Sequence, residues 1–436
     1  MNLAYVLGIL IMVLGIMLSV ALHELGHMIP AKKFGVKVPE YFIGFGPTLW
    51  SVKKGETRYG VKAILLGGYV KLVGMLPPAP AGKPDKRLPN GELGLVGQAR
   101  ADALAELEPG EENRAFYSLS VPKKLIVMSG GIIMNFILAV VFLAVSISVV
   151  GIPTYTSTVN SVATCVTTSP TGTCSKDDPV APAHEAGFLA GDRIVSWNGE
   201  LMNDWADVQR AIAHGGSAPA QVVITRDGHE QTLAVTPVLV ERPVLDASGR
   251  TVPSNDGSIA MEQRPYVGIG PSLETVRGSL TELPHMTLSA TWQTIRVVAT
   301  LPVGLYHVVA AGLGFEERSA NGIVGLVGVG RMAGQVASGG SGDIPLSVRI
   351  STMLSLLASL NLALFAFNLL PFLPLDGGHI AGALWEGLRR RIATLQGQSD
   401  PGPVDTARLI PVGQTVIWIL IIMTLVLVWA DIVAPV

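Results

Sequence analysis

The sequence has few charged residues and almost no cysteine. Asp, Glu, Lys and Arg make up 15% of its 436 residues, whereas soluble domains carry about 25%. This deficit, with 49% hydrophobic residues, argues against a large soluble protein and favours a membrane protein. The formal net charge of −2 gives no basic excess, so we expect no nucleic-acid partner. Aromatic residues are scarce at 6%, and the 49 glycines fit helices packed through small residues.

Four long stretches contain no charged side chain. They are residues 3–22, 125–151, 350–375 and 409–430. Each is long enough to cross a hydrocarbon core of about 30 Å as a helix that rises about 1.5 Å per residue. The first stretch lacks the basic start and the cleavage signature of a signal peptide. We therefore interpret it as a retained helix and predict four transmembrane helices.

Basic residues indicate the orientation of these helices. They cluster after the first stretch, before the second and after the third, at Lys32, Lys33, Lys37, Lys53, Lys54, Arg58, Lys123, Lys124, Arg389, Arg390 and Arg391. Loops rich in Lys and Arg stay in the cytoplasm, so both termini and the segment after the second helix are expected outside. Cys165 and Cys174 fall in that segment, where a disulfide can form. Two unpaired thiols remain the alternative, because spacing does not fix their geometry.

The remaining segments have distinct compositions. Residues 40–76 are interrupted by glycines and rich in β-formers, which predicts strands with tight turns, whereas 77–113 predicts a mobile loop. In the outside segment, 193–197 and 266–270 are predicted strands, and Asp227-Gly228 predicts a hairpin turn. The predicted segments are 1–30 (first transmembrane helix), 31–121 (cytoplasmic-side loop with a membrane-associated β-hairpin region at 40–76), 122–152 (second transmembrane helix), 153–275 (extracytoplasmic α+β domain), 276–348 (interfacial amphipathic helical linker), 349–380 (third transmembrane helix), 381–408 (cytoplasmic loop) and 409–436 (fourth transmembrane helix).

Ionisable residues end the first apolar stretch. His23-Glu24-Leu25-Gly26-His27 has the spacing HExxH. On a helix, His23 and His27 share one face and can hold one Zn²⁺, with Glu24 beside it as a base for water. The motif also occurs by chance on surface helices. A charged side chain at the centre of a membrane helix costs about 3 kcal/mol. This cost favours a functional interpretation of the motif over a chance occurrence.

A catalytic zinc site needs a third protein ligand. Asp376 is the first charged residue after the third apolar stretch. The first and third helices run in the same direction, so Asp376 and the two histidines are expected at a similar membrane depth. Pro371 and Pro374 break the helix and can aim the following loop inward. The alternative for Asp376 is an ordinary residue of a helix-end turn. His379 is a competing ligand, but we expect it to lie behind the ligands or in solvent rather than to bind the metal.

Several motifs together resemble one known family, the site-2 protease intramembrane metalloproteases. The resemblance is to the RseP-like bacterial branch, and most closely to its actinobacterial members. It is carried by HELGH (23–27), GFGP (44–47), LLGGYVKLVGM (65–75), SGGIIMNFILA (129–139) and NLLPFLPLDGG (368–378). The usual AGP-type lead into the second helix is replaced by SGG.

This resemblance implies residue roles and a location. His23, His27 and Asp376 would bind one Zn²⁺ per chain, and Glu24 would be the catalytic base. Asn368 matches a family asparagine that contacts substrate or the developing oxyanion, although a hydrogen bond between helices is an equal alternative. The strands of 40–76 would help present an extended substrate. The implied location is the bacterial cell membrane, with a multi-pass chain and the active site toward the cytoplasm.

The outside segment resembles a PDZ domain. The stretch AGFLAGDRIVSWNGE (186–200) carries this likeness, and such domains bind chain ends or extended segments by strand addition. The sequence thus predicts a polytopic α-helical membrane protein with a membrane-associated β-hairpin region and an extracytoplasmic PDZ (α+β) domain.

The predicted function is zinc-dependent, regulated (site-2) proteolysis of single-span membrane proteins within the bilayer. By family resemblance, the substrates are anti-sigma factors already cut once on the outside. One rival is a membrane-anchored PDZ scaffold with a structural or inactive metal site, which would have no need for Glu24. Another is a metal-dependent membrane enzyme with a non-peptide substrate, against which the PDZ likeness argues.

Overall fold

The computed structural model describes residues 2–435 apart from 81–83, 106, 168–172, 245–251, 253, 255–257, 320–321 and 340–343. Its helices are α1 (Leu3–Lys33), α2 (Leu95–Leu104), α3 (Val121–Val145), α4 (Pro182–Glu185), α5 (Trp205–Gly215), α6 (Leu283–Ala299), α7 (Leu301–Gly312), α8 (Leu326–Ser338), α9 (Leu346–Asn368), α10 (Asp376–Leu395) and α11 (Ile410–Val433). Its strands are β1 (Glu40–Lys54), β2 (Thr57–Lys71), β3 (Ile152–Val162), β4 (Arg193–Trp197), β5 (Glu200–Leu201), β6 (Ala220–Arg226), β7 (His229–Val235), β8 (Val238–Pro243), β9 (Met261–Tyr266) and β10 (Ile269–Val276).

Four helical segments are long and apolar enough to cross a membrane, as the sequence predicts. Within the described residues they are Leu3–Lys33, Val121–Val150, Leu346–Asn368 and Thr406–Val433. The second consists of α3 and one following π-helical turn. Many of their apolar side chains are exposed, such as Leu14 and Ile422. In a chain of this composition those surfaces face lipid.

The predicted interfacial helical linker over 276–348 contains three helices, α6, α7 and α8, in its described part. The first two, α6 and α7, meet at a 70° bend, and together they are apolar enough to form a broken span or a re-entrant loop. Pro302 lies in the first turn of α7, where its missing N–H interrupts no helical hydrogen bond. The third helix, α8, packs on α1, where a Cβ on Gly334 would clash with the Tyr5 ring.

The β-rich region after α1 forms one twisted antiparallel pair, β1 with β2. Its register is irregular, because residues 40–43 pair both with 58–61 and with 68–71. Residues 64–71 are therefore an edge segment of this small sheet. Tyr41 ties the sheet to α1, since its hydroxyl donates to the Ala21 carbonyl at 2.6 Å.

The segment 77–113 differs from the predicted loop in its described part. It contains α2, and Arg100 is 4% exposed. The Arg100 guanidinium donates to Asp85 at 3.0 Å and to Asp405 at 3.0 Å. Through these two ion pairs, the buried arginine connects residues 77–113 to the start of the fourth apolar helical segment. Residues 81–83 and 106 of the prediction lie outside the described residues.

The segment between α3 and α6 contains a mixed domain with its own core. Five strands follow the order β10-β3-β4-β6-β7, β5 pairs with β4, and β8 pairs with β9. Its core includes Phe188, Ile194, Trp197 and Ile224, all at most 2% exposed. The predicted strand 193–197 and the hairpin at Asp227-Gly228 are present. Cys165 and Cys174 form a disulfide.

The predicted strand over 266–270 is interrupted in the structure. It covers the end of β9 and the start of β10, with a break at residues 267–268. Gly268 has a φ of +92°, a conformation open to glycine but not to a continuing strand. The break separates β9, which pairs with β8, from β10, which pairs with β3.

Candidate metal centre

The HExxH residues lie on the last third of α1. Asn2 caps this helix, because its side chain accepts from the Tyr5 N–H at 2.9 Å. His23 and His27 are one turn apart on the same face, and their Nε2 atoms are 3.2 Å apart. His27 is only 3% exposed. The predicted pairing of the two imidazoles is therefore present in the fold.

Asp376 reaches the two histidines from the start of α10. Its Oδ2 lies 3.4 Å from His23 Nε2 and 3.2 Å from His27 Nε2. Oxygen and nitrogen ligand atoms of the three residues all lie within 4.8 Å of one another. We call His23, His27 and Asp376 the triad.

The local backbone explains why Asp376 points inward. The helix α9 ends at Asn368, and a non-helical stretch with Pro371 and Pro374 follows. Asp376 then begins α10, so the predicted helix over 349–380 is two helices, and Asp376 is not the ordinary helix-end turn residue that was the alternative. Gly377 and Gly378 pack against the preceding backbone, because a Cβ on Gly377 would lie 2.6 Å from the Leu369 carbonyl oxygen.

The triad suits a divalent metal ion. Asp376 Oδ2 is buried and has no hydrogen-bond partner among the described residues, yet it faces two Nε2 atoms. Two imidazole nitrogens and one carboxylate oxygen are the three protein ligands of many catalytic zinc sites. A cation would bring these three atoms together and would pair the orphaned oxygen.

Helix α3 approaches the triad closely. A Cβ on Gly26 would lie 2.7 Å from the Gly130 carbonyl carbon, so only glycines allow this crossing of α1 and α3. A Cβ on Gly131 would clash with His27 Nε2 and lie 2.7 Å from His23 Cε1. Gly26 therefore permits a close contact between α1 and α3.

Two further groups of α3 contact the imidazoles. The Val127 carbonyl accepts a hydrogen bond from His27 Nδ1 at 2.8 Å. The Asn135 side chain is fully buried, and its Nδ2 lies 3.1 Å from His23 Nδ1. Sequence reasoning gave no role to Val127, Gly131 or Asn135. Their spacing of four residues, which aligns them on one face of a helix, is the signal that was available.

Glu24 lies between the triad and the β-region. A Cβ on Gly68 would lie 3.5 Å from Glu24 Cγ. The edge segment 64–71 of the small sheet therefore passes directly beside the carboxylate.

The other two candidate residues, Asn368 and His379, are not members of the triad. Asn368 is the last residue of α9, and among the described residues no hydrogen bond joins its side chain to the triad. His379 follows Asp376 by one turn of α10 and lines a small cavity with Lys124 and Glu386. It is not one of the three residues whose ligand atoms converge.

Comparison with known proteins identifies the family of this chain. The family model described as peptidase family M50 matches residues 11–399. The chain belongs to peptidase family M50. It is 32% identical to zinc metalloprotease Rip1 of Mycobacterium tuberculosis (strain H37Rv), over 99% of this chain and 98% of that protein. It is also 30% identical to Rip1 of Mycolicibacterium smegmatis, with 98% of each covered. The metalloprotease MmpA of Caulobacter vibrioides is 29% identical over 88% of this chain and 89% of that protein.

The family membership and the fold together establish the class of protein. The chain is a membrane-associated metalloprotease of family M50 with zinc as its expected cofactor. The resemblance to site-2 proteases drawn from the sequence motifs is thereby confirmed.

Proposed function

We propose that this M50 peptidase cuts single-span membrane proteins within the bilayer, with one zinc ion held by His23, His27 and Asp376. The observation that carries the proposal is the position of the triad. Two of its ligands lie on α1, a helix apolar enough to cross a membrane, and Glu24 lies between them. A hydrolytic site inside a membrane helix has use only for a bond that is itself in the membrane.

The chain's own residues divide the chemistry among them. Zinc, when bound, polarises water and the scissile carbonyl. Glu24 accepts the proton of the attacking water and returns it to the leaving amine. The Glu24 side chain lies beside the edge segment 64–71. The Val127 carbonyl keeps His27 Nδ1 protonated, which leaves Nε2 free to bind the metal.

The edge segment 64–71 supports a peptide substrate. A transmembrane helix hides its carbonyls in its own hydrogen bonds and must unwind before water can attack. An exposed strand edge binds an unwound segment by adding it as a further strand. This edge lies beside Glu24, where the extended segment would be cut. Asn368, at the end of α9, would contact the substrate or the developing oxyanion.

Charge distribution supports the orientation. Lys32 and Lys33 end α1, and Lys123 and Lys124 begin α3. Loops with these residues remain in the cytoplasm, so both termini and the 153–275 domain lie outside and the triad lies toward the cytoplasm. The bent pair α6–α7, treated as a re-entrant loop, leaves this count of crossings unchanged.

The outer domain would select substrates as a PDZ domain does. A groove runs between α5 and β9, with Trp205 and Ile212 on one wall and Arg264 and Tyr266 on the other. Grooves between a helix and a strand bind extended chain ends. We therefore propose that it binds the trimmed outer end of the substrate, and that anti-sigma factors are the substrate class. The enzyme would then make the second cut of a signalling cascade.

The test uses purified full-length protein in detergent with a panel of single-span segments from anti-sigma factors. Glu24→Gln should bind zinc as wild type does but abolish cleavage, because an amide accepts no proton. Asp376→Asn should lose zinc and cleavage together. Glu56→Gln is the matched control, because it changes an exposed carboxylate of the β1–β2 turn, and it should cleave as wild type.

Three results would contradict the proposal. The first is cleavage by Glu24→Gln at the wild-type rate, which would remove the base from the mechanism. The second is wild-type protein that holds stoichiometric zinc and cuts no segment of the panel, which would favour a scaffold. The third is cleavage that persists after a chelator has removed the zinc.

A further inference from the structure

Asn135 is a buried amide beside His23. Its nitrogen faces an imidazole nitrogen, and this contact conflicts with metal binding by His23. Its side chain is 0% exposed, and Nδ2 lies 3.1 Å from His23 Nδ1. Its Oδ1 is buried without a hydrogen-bond partner in the described part of the chain. A buried acceptor without a hydrogen-bond partner destabilises the fold, so this arrangement calls for an explanation.

The other histidine shows what the site requires. His27 Nδ1 lies 2.8 Å from the Val127 carbonyl, which can only accept. His27 therefore carries its proton on Nδ1 and presents the lone pair of Nε2 to the triad. His23 also turns its Nε2 toward the other triad residues, and this atom lies 3.4 Å from Asp376 Oδ2. If His23 binds metal through Nε2, its proton must lie on Nδ1.

A proton on His23 Nδ1 would meet the Asn135 Nδ2 donor, and two donors repel. A 180° rotation of the side chain exchanges the oxygen and nitrogen of an asparagine amide, and the hydrogen-bond partners decide which orientation holds. This rotation brings Oδ1 to His23 Nδ1. It removes the donor–donor contact and pairs the orphaned oxygen in one step.

We propose that Asn135 is a positioning residue whose Oδ1 accepts the His23 Nδ1 proton and so fixes His23 in the tautomer that binds metal through Nε2. The proposal rests on the zinc site proposed above. Asn135 does for His23 what the Val127 carbonyl does for His27, and both come from α3. Such partners typically change metal affinity by about 10-fold to 100-fold when removed.

The test measures zinc affinity of the full-length protein in detergent by competition with a chelator. Asn135→Leu, which has similar volume and no polar atom, should weaken zinc binding by about 10-fold to 100-fold. Asn135→Asp should bind zinc at least as tightly as wild type, because a carboxylate accepts the His23 proton. If instead the Asn135 amide donates to His23, Asp should weaken binding as much as Leu, and that result would overturn the proposal.

Asn361 provides a matched control. It is also fully buried, has an unpartnered Oδ1 in the described structure and joins two helices through Ser19 at 2.9 Å. Unlike Asn135, its side chain makes no hydrogen bond to an imidazole of the triad among the described residues. Asn361→Leu should lower stability but leave zinc affinity unchanged. Equal loss of affinity in the Asn135 and Asn361 variants would mean a structural role alone.

Two outcomes separate this proposal from the zinc site itself. If His23→Ala binds zinc as wild type does, the triad is not the site and both proposals fail. If His23→Ala loses zinc while Asn135→Leu keeps wild-type affinity, only the role of Asn135 fails. A measurement without variants uses ¹⁵N-histidine resonances of zinc-loaded protein in bilayers. Both zinc-bound rings should be protonated at Nδ1, and a ring bound through Nδ1 would overturn the proposal.

Discussion

A buried ion pair between α3 and α10 should hold the aspartate of the triad in place. Lys124 Nζ lies 2.9 Å from Oε1 and 2.8 Å from Oε2 of Glu386. Their side chains are 5% and 4% exposed. Asp376 begins the same helix ten residues before Glu386, or about 15 Å along its axis. The ion pair therefore fixes α10 against the helix that also contacts His23 and His27.

The two single variants should differ in cost. Removing one partner of a buried ion pair destabilises by about 3–5 kcal/mol, because the other charge stays buried. Glu386→Leu leaves Lys124 without its carboxylate, so we expect the upper part of that range. Lys124→Met leaves Glu386 with Arg390 at 3.1 Å and the Val404 N–H at 3.3 Å, so we expect the lower part. The double variant removes both buried charges and should lie within about 1 kcal/mol of wild type.

The assay is a double-mutant cycle on unfolding of the full-length protein in detergent, with zinc content measured in parallel. The control is the surface pair Arg264–Glu262, whose side chains are 51% and 56% exposed and whose loss should cost less than about 1 kcal/mol. The single variants should also lose zinc below the denaturant concentration at which wild type does. The reasoning is refuted if Glu386→Leu costs no more than the control, or if the double variant is as unstable as the sum of the singles.

Two further changes test the packing around the triad and the outer domain. Gly131→Ala should abolish zinc binding, because the added Cβ would clash with His27 Nε2. The control Gly330→Ala adds a Cβ that meets no atom within 4 Å and should bind zinc as wild type does. Equal zinc binding by the two variants would refute the close approach of α3. Burial opposes ionisation of Asp192, but hydrogen bonds from Arg226 and Leu189 outweigh it and lower the pKa of Asp192. The ionised Asp192 therefore stabilises the folded domain at pH values above its pKa in the unfolded chain, which is about 3.9. This stabilisation is lost as pH falls through the lower pKa that Asp192 has in the folded protein. The stability gap between wild type and Arg226→Gln should therefore narrow as pH falls below about 4, and a constant gap in unfolding measurements would contradict this.

The sequence predicted the parts of the fold that depend on local pattern. The spacing of His23 and His27 places both on one helical face in any helix, and the lengths of the apolar stretches indicate four spans without knowledge of packing. Asp376 was reached by an argument from membrane depth. This worked because α1 and α9 run in the same direction and end at similar levels.

The helix that begins at Asp376 was missed because local propensity opposes it. Gly377 and Gly378 are poor helix formers, so the sequence LDGG predicts a turn. The structure overrides this preference, since the two glycines pack directly against the backbone of the preceding residues and no larger side chain would fit. Tertiary contacts of this kind are invisible in a single sequence.

The contributions of α3 were missed because hydropathy does not say which face of a uniformly apolar helix meets a partner. Lys124, Val127, Gly131 and Asn135 recur every three or four residues and are all buried. On this one face of α3, Lys124 pairs with Glu386 of α10 and the Val127 carbonyl accepts from His27. Gly131 leaves space for both imidazoles, and Asn135 contacts His23. The triad's ligands come from α1 and α10, which are far apart in sequence, yet both helices are held to the same face of α3. The geometry of the candidate metal centre therefore depends on contacts from a helix that supplies none of the three triad residues.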